Sequence, residues 1–238
     1  MKVITSRQNP KIKELLDIKK YPGALILIEG QHLIDMAYRA NLMVELFGLS
    51  PLYDDFETTL INKDIATKLS DKVTTDGYFA LVRRPQLEID TNKPLLGLEH
   101  INDPGNLGTL MRTALAFDFG GILISDNSVN LYNAKVLSAA QGAHFFMPTK
   151  VISFTELQAY RHLGYELVVT TLKDAKVIDE VPAKKMILLL GNEAKGVSDH
   201  LLQIADHLVK IPMQHIDSLN VAIAGSILMY EITKRNTF

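Results

Sequence analysis

The chain has 238 residues, of which 47% are hydrophobic, with a formal net charge of -2 and no cysteine. This hydrophobic content is sufficient for a packed core and argues against an intrinsically disordered chain. The small net charge argues against a protein that binds nucleic acid through bulk charge alone. Without cysteine, disulfides, thiolate zinc sites and cysteine nucleophiles are excluded.

The first 20 residues, MKVITSRQNPKIKELLDIKK, lack the apolar segment of a signal peptide, and no apolar run in the chain reaches the roughly 18 residues of a membrane span. We therefore expect a cytoplasmic protein without a membrane segment. The same 20 residues are rich in basic side chains, which makes Arg7, Lys11 and Lys13 candidates for contact with RNA. On charge alone, an amphipathic helix with solvated lysines is the better interpretation.

The first part of the chain predicts a small αβα sandwich domain over residues 1–90, followed by a linker that begins near residue 85. The predicted elements are a helix at 9–17, a strand at 24–28, a helix at 31–40, a strand at 44–49, a helix at 65–69 and a strand at 78–82. Residues 51–64 are polar and are predicted to form a loop.

The second part, residues 95–238, alternates strands and helices, which is typical of a mostly parallel sheet covered on both faces. Strands are predicted at 95–99, 121–125, 166–171, 186–190 and 208–211, and helices at 107–117, 134–140, 155–163, 199–205 and from about 219 to 234.

Three segments of this second part lie where a predicted strand ends and a helix begins. They are NDPGNLG at 102–108 with Arg112 behind it, GNEAKG at 191–196, and IPM at 211–213 followed by SLNVA at 218–222. Because the carboxyl ends of strands and the N-termini of helices converge in open α/β sheets, three such junctions predict one composite site.

Each segment alone also has a purely structural interpretation. The turn at 102–106 can cap the following helix, Arg112 can form a surface salt bridge, and Glu193 can be an anion at a helix start. Ser218 is a natural N-cap for the last helix, whereas Asn220 is not explained by helix propensity. No dinucleotide-binding or P-loop motif is present, and the histidine spacing does not predict a metal site.

Together, the segments resemble the motifs of the SpoU/TrmH family of RNA 2′-O-ribose methyltransferases, a branch of the SPOUT superfamily. The family's D-P-x-N-x-G-x-x-x-R-T-A block is matched at 103–114, its G-x-E-x-x-G block at 191–196, and its I-P-M and S-L-N-V blocks at 211–213 and 218–221. Residues 6–13 and 28–30 are similar to the N-terminal substrate-binding domain that many members carry, which resembles ribosomal protein L30e.

The resemblance implies an α/β fold in which a SPOUT-type parallel sheet with a deep trefoil knot follows an L30e-like domain. It also implies S-adenosyl-L-methionine as the cofactor, RNA as the substrate, with ribosomal RNA favoured over transfer RNA, and a homodimer through the C-terminal domain. The residues that match the family's catalytic polar set are Asn106, Arg112, Glu193, Ser218 and Asn220, and those that match its cofactor-binding positions are Leu190, Gly191, Gly196, Ile211, Met213 and Leu219. The apolar residues of the final helix that could form the dimer surface or the core are Ala222, Ile223, Ala224, Ile227, Leu228 and Met229.

The clearest departure from the family pattern is the turn at residues 214–217, QHID, which lacks the usual glycine. Arg112 is predicted to bind an RNA phosphate and to stabilise negative charge on the 2′-oxygen, because a guanidinium stays protonated near pH 7. A catalytically silent RNA-binding or ribosome-assembly protein on the same fold is one alternative, and a transfer RNA 2′-O-methyltransferase is another. The joint presence of five functional polar residues argues for an enzyme.

Overall fold

The computed structural model describes residues 2–172, 174–182 and 185–237. The chain divides into two compact units, Met1–Gln86 and Leu87–Phe238. Within the described residues, no helix is both long and apolar enough to cross a membrane. The assignment of these units to an RNA-binding domain and a methyltransferase domain stays a prediction.

The first unit is a five-stranded mixed sheet with three helices. Its elements are β1 (Val3–Ile4), α1 (Pro10–Lys20), β2 (Leu25–Glu29), α2 (Gln31–Arg39), β3 (Met43–Gly48), β4 (Thr58–Ile61), α3 (Lys63–Leu69) and β5 (Phe79–Arg83). The sheet order is β1-β4-β3-β5-β2, and β5 runs antiparallel to both of its neighbours. Asn9 caps α1 by accepting a hydrogen bond from the Lys11 N–H at 2.9 Å, and Pro10 occupies the first turn.

The prediction of a polar loop over residues 51–64 is wrong, because this stretch contains β4. The strand lies between β1 and β3 and is parallel to both. Thr58 and Thr59 are buried there despite their hydroxyl groups. Threonine is β-branched and therefore fits a pleated strand. Pairing with β1 and β3 thus stabilises a strand in a segment whose overall composition suggested a loop.

The second unit is a seven-stranded parallel sheet with helices on both faces, which confirms the predicted fold class. Its elements are β6 (Leu95–Leu98), α4 (Pro104–Ala116), β7 (Gly121–Ser125), α5 (Ala134–Ala140), β8 (Thr149–Ile152), α6 (Phe154–His162), β9 (Glu166–Thr170), β10 (Lys176–Val177), β11 (Met186–Leu190), α7 (Asp199–Gln203), β12 (His207–Lys210) and α8 (Val221–Thr237). The strand order is β10-β12-β9-β11-β6-β7-β8, and all pairings are parallel. The sequence pattern did not predict β8 and β10, the two short edge strands.

Alternate residues of the central strands serve different cores, as the two-residue period of a strand requires. Leu96, Leu98 and Leu190 belong to the core that also includes residues of α4, α5 and α8. Leu95 and Leu189 belong to the core that includes residues of α6 and α7. Helices on both faces leave the carboxyl edge of the sheet to the connecting loops, and all three predicted segments begin at that edge.

Candidate active site at the carboxyl edge of the parallel sheet

The first segment forms the start of α4. Asp103 is the N-cap, and its Oδ1 accepts a hydrogen bond from the Asn106 N–H at 2.8 Å. Pro104 follows in the first turn, where its missing N–H costs no helical hydrogen bond. The capping interpretation is therefore correct for Asp103. The cap uses the backbone N–H of Asn106, and the Asn106 side-chain carboxamide makes other contacts.

The carboxamide of Asn106 joins all three segments. Its Nδ2 donates to Glu193 Oε1 at 3.0 Å, and its Oδ1 accepts from Asn220 Nδ2 at 2.9 Å. The two partners are 87 and 114 positions away along the chain, so only the fold brings them together. We call Asn106, Glu193 and Asn220 the polar triad.

Glu193 lies in the turn after β11 and not at the start of α7, which begins at Asp199. Its Oε1 also faces the backbone N–H of Asp103, at 3.5 Å, at the N-terminus of α4. The interpretation of Glu193 as an anion at the start of the helix that follows it in sequence is thus wrong. The favourable interaction of a carboxylate with a helix N-terminus is made instead with α4, across the sheet edge.

The neighbouring Asn192 holds this turn in place. Its Oδ1 accepts from the N–H groups of Ala194 and Lys195, each at 3.0 Å, and its Nδ2 donates to the His100 carbonyl at 2.9 Å. The second segment is therefore tied to the chain just before the first segment, independently of Glu193.

The two glycines of the second segment have different structural roles. A Cβ on Gly191 would lie 2.3 Å from the carbonyl carbon of Gly196 and 2.3 Å from the nitrogen of Val197, so the turn closes against Gly191 with no room for a side chain. Gly196 has a φ of +71°, which favours glycine. Asn192 and Gly196 also exchange two backbone hydrogen bonds, of 3.0 and 2.8 Å. Both glycines are needed to shape the turn that presents Glu193.

In the third segment, the N-cap of α8 is Asn220 and not Ser218, so that prediction is wrong. Asn220 Oδ1 accepts from the N–H groups of Ala222 and Ile223, at 2.9 and 3.3 Å. Residues 211–220 have no regular secondary structure, and this delays the start of the helix to Val221. Asn220 thus fulfils two functions at once, capping α8 with Oδ1 and bonding Asn106 with Nδ2.

The glycine-free turn at 214–217 contains a strained residue. His215 has a φ of +69°, in the region that favours glycine. Histidine is one of the few other residues that adopt this conformation with some frequency. The backbone shape that a glycine would permit is therefore present, at the cost of local strain.

The predicted cofactor-binding residues lie on two loops at this edge, except Leu190, which is the last residue of β11. Leu190 and Gly191 are buried, Ile211, Met213 and Leu219 are half-buried, and Gly196 is exposed. In the part of the chain that the structure describes, residues 211–219 form no backbone-to-backbone hydrogen bond. Half-buried apolar side chains beside unpaired backbone groups fit a nucleoside, whose ring is apolar on its faces and polar at its edges.

The sequence pattern did not identify the end of β9 as a contributor to this region. In the sheet, β9 lies between β11 and β12, so its carboxyl end lies between the second and third segments. Leu172 follows it with 57% of its surface exposed. No sequence signal marks this position, because the order of strands cannot be read from the order of segments.

Arg112 and Ser218 are not part of the triad. Arg112 is exposed on α4, about 9 Å farther along the helix axis than Asn106. Within the described residues, no hydrogen bond or ion pair engages its guanidinium. Ser218 is also exposed. Both side chains are thus accessible to a ligand.

The three predicted RNA contacts of the first unit differ in their surroundings. Lys11 Nζ contacts Glu45 Oε1 at 2.5 Å and Glu14 Oε1 at 3.1 Å. Burial acts against its charge, but the two carboxylates outweigh this effect and raise the pKa of Lys11. Arg7 and Lys13 are exposed. Lys11 therefore stays protonated with its charge compensated by two carboxylates, whereas Arg7 and Lys13 are more accessible to a ligand.

Several known RNA methyltransferases are similar to this chain in sequence and in fold. The chain is 29% identical over 249 residues to 23S rRNA (guanosine(2553)-2′-O)-methyltransferase RlmP of Bacillus subtilis, covering 98% of this chain and 99% of that protein. A solved RNA 2′-O ribose methyltransferase superposes with a TM-score of 0.83 at 26% identity, over 99% of this chain and 100% of the other. An AdoMet-bound rRNA methyltransferase from Sinorhizobium meliloti shares the fold, with a TM-score of 0.84 at 21% identity, over 100% of this chain and 98% of the other.

Similarity along almost the whole chain to an rRNA 2′-O-methyltransferase, together with the shared fold, shows that the chain is an RNA methyltransferase. Residues 93–230 match the SpoU rRNA Methylase family model. The chain belongs to the SpoU rRNA Methylase family. The family and the enzyme class predicted from the three motifs are thereby confirmed.

Proposed function

We propose that the chain transfers the methyl group of S-adenosyl-L-methionine to a ribose 2′-oxygen of ribosomal RNA, in the cytoplasm. The observation that carries this proposal is the polar triad, which unites the three segments through two hydrogen bonds of 3.0 and 2.9 Å. The similarity to RlmP and to the solved 2′-O ribose methyltransferase supports the position of methylation and the RNA class. The AdoMet bound by the Sinorhizobium meliloti neighbour supports the cofactor.

S-adenosyl-L-methionine supplies an electrophilic methyl group on a sulfonium when it is bound. Leu190 at the end of β11, Gly191 and Gly196 of the second segment, and Ile211, Met213 and Leu219 of the third would hold its nucleoside. The irregular backbone at 211–219 offers N–H and C=O groups to the polar edges of the adenine and ribose. The same loops form the region where the family's trefoil knot is expected.

Arg112 has the role of binding RNA and stabilising charge. Its guanidinium is exposed and has no partner in the described part of the chain, so it can form a bidentate contact with a phosphate. A cation beside the reacting ribose stabilises the negative charge that develops on the 2′-oxygen. The proton of that hydroxyl leaves to water late in the transfer, or passes to the phosphate, because a guanidinium is not a base near pH 7. Ser218, an exposed residue of the third segment, is available to contact the ligand.

Glu193 positions the loops and does not act as the base. Its Oε1 is engaged by the Asn106 side chain and faces the Asp103 N–H, which is the arrangement of a structural anchor. A Glu193→Gln variant keeps a carbonyl oxygen for the Asn106 bond, so we expect its pH-rate profile to keep the wild-type shape. A profile that loses its acidic limb would instead identify Glu193 as the proton acceptor.

The final helix supports a homodimer through the second unit. Ile223, Ile227 and Tyr230 expose 53%, 39% and 51% of their surfaces and follow the i, i+4, i+7 spacing of one helix face. Leu228 and Met229 on the same helix are buried in the core. The candidate apolar residues of α8 thus divide into a core set and an exposed stripe. Light scattering should give a dimer for the wild type and a monomer for Ile227→Lys.

The first unit would carry the RNA to the site as an L30e-like domain, with Arg7 and Lys13 as its exposed cations and Lys11 in a secondary role. Arg7→Ala with Lys13→Ala should raise the KM for RNA and leave kcat and cofactor affinity unchanged, because phosphate contacts by exposed cations contribute affinity. An unchanged KM would show that the basic segment of the first unit does not contact the RNA.

Two measurements test the proposed function directly. Sites of 2′-O-methylation are mapped in total RNA from cells with and without the gene, and one ribosomal RNA site should disappear without it. Loss of a transfer RNA site instead would show that the substrate is transfer RNA and not ribosomal RNA. The purified chain, titrated with S-adenosyl-L-methionine with and without RNA, should bind the cofactor, whereas no binding in either case would favour the catalytically silent RNA-binding protein.

Arg112→Lys separates charge from geometry at the proposed phosphate contact. The variant keeps a cation but loses the planar fork of donors. We expect kcat to fall at least tenfold while cofactor affinity stays at the wild-type value. Full kcat together with unaltered RNA affinity would exclude the role proposed for Arg112.

A further inference from the structure

A cavity of about 150 Å³ opens at the same sheet edge, on the face covered by α6 and α7. Gly97 of β6 lines it between Leu123 of β7 and Leu189 of β11, its register neighbours. Gly97 contributes no side chain here, and an added Cβ would lie 3.1 Å from Ile187 Cγ2. The glycine therefore leaves space at a strand position where its neighbours have leucines.

The walls of this cavity are apolar and its remaining lining carries a few polar groups. The remaining apolar walls are formed by Leu98, Ile152, Leu157 and Leu201, and the polar lining by Glu99, Ser125, Ser153, Ser198 and His200. The volume is well below the roughly 300–1,000 Å³ of pockets for drug-sized ligands, but such an apolar slot with a few polar groups has the composition of a specific ligand site. It fits one flat heterocycle.

Glu99 gives this cavity a fixed acceptor. Its Oε2 accepts from the Ser198 N–H at 2.8 Å. Among the described residues no group donates to Oε1, which can therefore accept a hydrogen bond from a ligand. Ser198 precedes α7 but its hydroxyl does not cap that helix. A positioned carboxylate accepts hydrogen bonds from the amino groups of nucleobases.

The cavity shares its chain segments with the polar triad. The Glu99 N–H donates to the Leu190 carbonyl at 2.9 Å, and the next residue, His100, accepts from Asn192 through its carbonyl. Ser198 directly follows the turn that closes against Gly191. Among the described residues that line the cavity, none belongs to the predicted cofactor set. A ligand bound here would lie beside the reaction site without occupying the cofactor loops.

We propose that this cavity binds an unpaired nucleobase of the RNA substrate, one that carries an exocyclic amino group. The inference rests on the proposed function. Proteins that recognise single-stranded RNA hold unstacked bases against apolar or aromatic side chains and read their edges by hydrogen bonds. The amino group of guanine, cytosine or adenine donates to Glu99, and guanine adds a ring N–H on the same edge. Uracil places two carbonyls beside its single ring N–H, and a carboxylate repels them.

Glu99→Gln is the decisive variant. The Gln side chain keeps a carbonyl oxygen for the Ser198 N–H but replaces the second acceptor with an NH2 donor. The full chain is titrated with guanosine, cytidine, adenosine and uridine, and amide NMR shifts are followed. For the wild type, the three amino-bearing nucleosides should shift Ser125, Ser153 and Ser198 more than uridine does, and in Glu99→Gln this preference should shift toward uridine.

Kinetics on RNA supply the second readout. Glu99→Gln and the cavity-filling Leu201→Phe should each raise the KM for ribosomal RNA at least fivefold, with kcat and cofactor affinity close to wild type. Three outcomes would each overturn the assignment: equal shifts with uridine, displacement of the nucleosides by S-adenosyl-L-methionine, or an unchanged KM in a chain that methylates RNA. A wild-type chain that transfers no methyl group to RNA would instead refute the proposed function, and the nucleoside titration would still decide whether the cavity binds bases.

Discussion

The second and third segments build similar irregular turns with different residues. The turn at 191–196 has glycine where the backbone leaves no space, at Gly191, and where φ is positive, at Gly196. The turn at 214–217 has a positive φ at His215 and no glycine. The residues of the turn at 191–196 therefore suit its backbone conformation. The turn at 214–217 depends on surrounding contacts to hold a strained residue. Substitutions at these positions should have opposite effects on stability.

Gly191→Ala should have the largest effect. The new Cβ would lie 2.3 Å from backbone atoms of Gly196 and Val197, which cannot move aside as a side chain can. Overpacking of this kind costs about 3 kcal/mol or more of unfolding free energy. Urea denaturation measures the loss, and Gly23→Ala, whose Cβ would meet nothing within 4 Å, is the matched control. Equal stabilities for the two variants would refute the close-approach argument.

Asn106→Asp tests the link between the turns. It removes the donor to Glu193 and places a second carboxylate about where the 3.0 Å hydrogen bond now lies. Repulsion and the lost hydrogen bond should cost about 2 kcal/mol near pH 8. One carboxyl of such a pair has a raised pKa in the folded state, so the variant should regain stability as the pH falls and that group binds a proton. A deficit that is the same at pH 5 and pH 8 would contradict a direct contact.

Gly196→Ala should be milder than Gly191→Ala. No atom lies within 4 Å of the added Cβ, so the cost comes from the φ of +71° alone. That conformation costs an L-residue about 1 kcal/mol. If thermal unfolding showed a loss as large as that of Gly191→Ala, steric contact and not backbone conformation would govern this position.

His215→Gly should have the smallest effect and the opposite sign. Glycine adopts a φ of +69° freely, so the variant should relieve strain, partly offset by the greater flexibility of glycine in the unfolded chain. We expect a gain in unfolding free energy of up to about 1 kcal/mol. A destabilised variant would show that the His215 side chain contributes contacts that outweigh the strain.

Much of the second unit could be predicted because its strands are apolar runs between clear helix signals. The predicted bounds of β7, α5 and β11 match the structure. The missed strands are short, and they gain their conformation from pairing with neighbours. β10 has only two residues, and none of the four residues of β8 is buried, so β8 has no alternation of buried and exposed positions. Their existence depends on long-range pairing that local sequence does not encode.

The composition of the candidate site was more predictable than its connections. The motif pattern identified Asn106, Glu193 and Asn220 as members of one site, but not the two hydrogen bonds that order them. It placed the helix cap on Ser218, because a serine before a helical pattern is the usual signal, whereas the irregular path of 211–220 moved the cap to Asn220. The cavity beside Glu99 has no local signal, since it results from neighbouring strands at Gly97.

The most direct test of the three-segment site is a double-mutant cycle on methyl transfer. Transfer from labelled S-adenosyl-L-methionine to ribosomal RNA is measured for the wild type, Asn106→Ala, Glu193→Ala and the double variant. Because the two side chains act through one hydrogen bond, each single change should lower kcat about tenfold or more, and the double variant should be no slower than the worse single one. Effects that multiply in the double variant would contradict a single shared site.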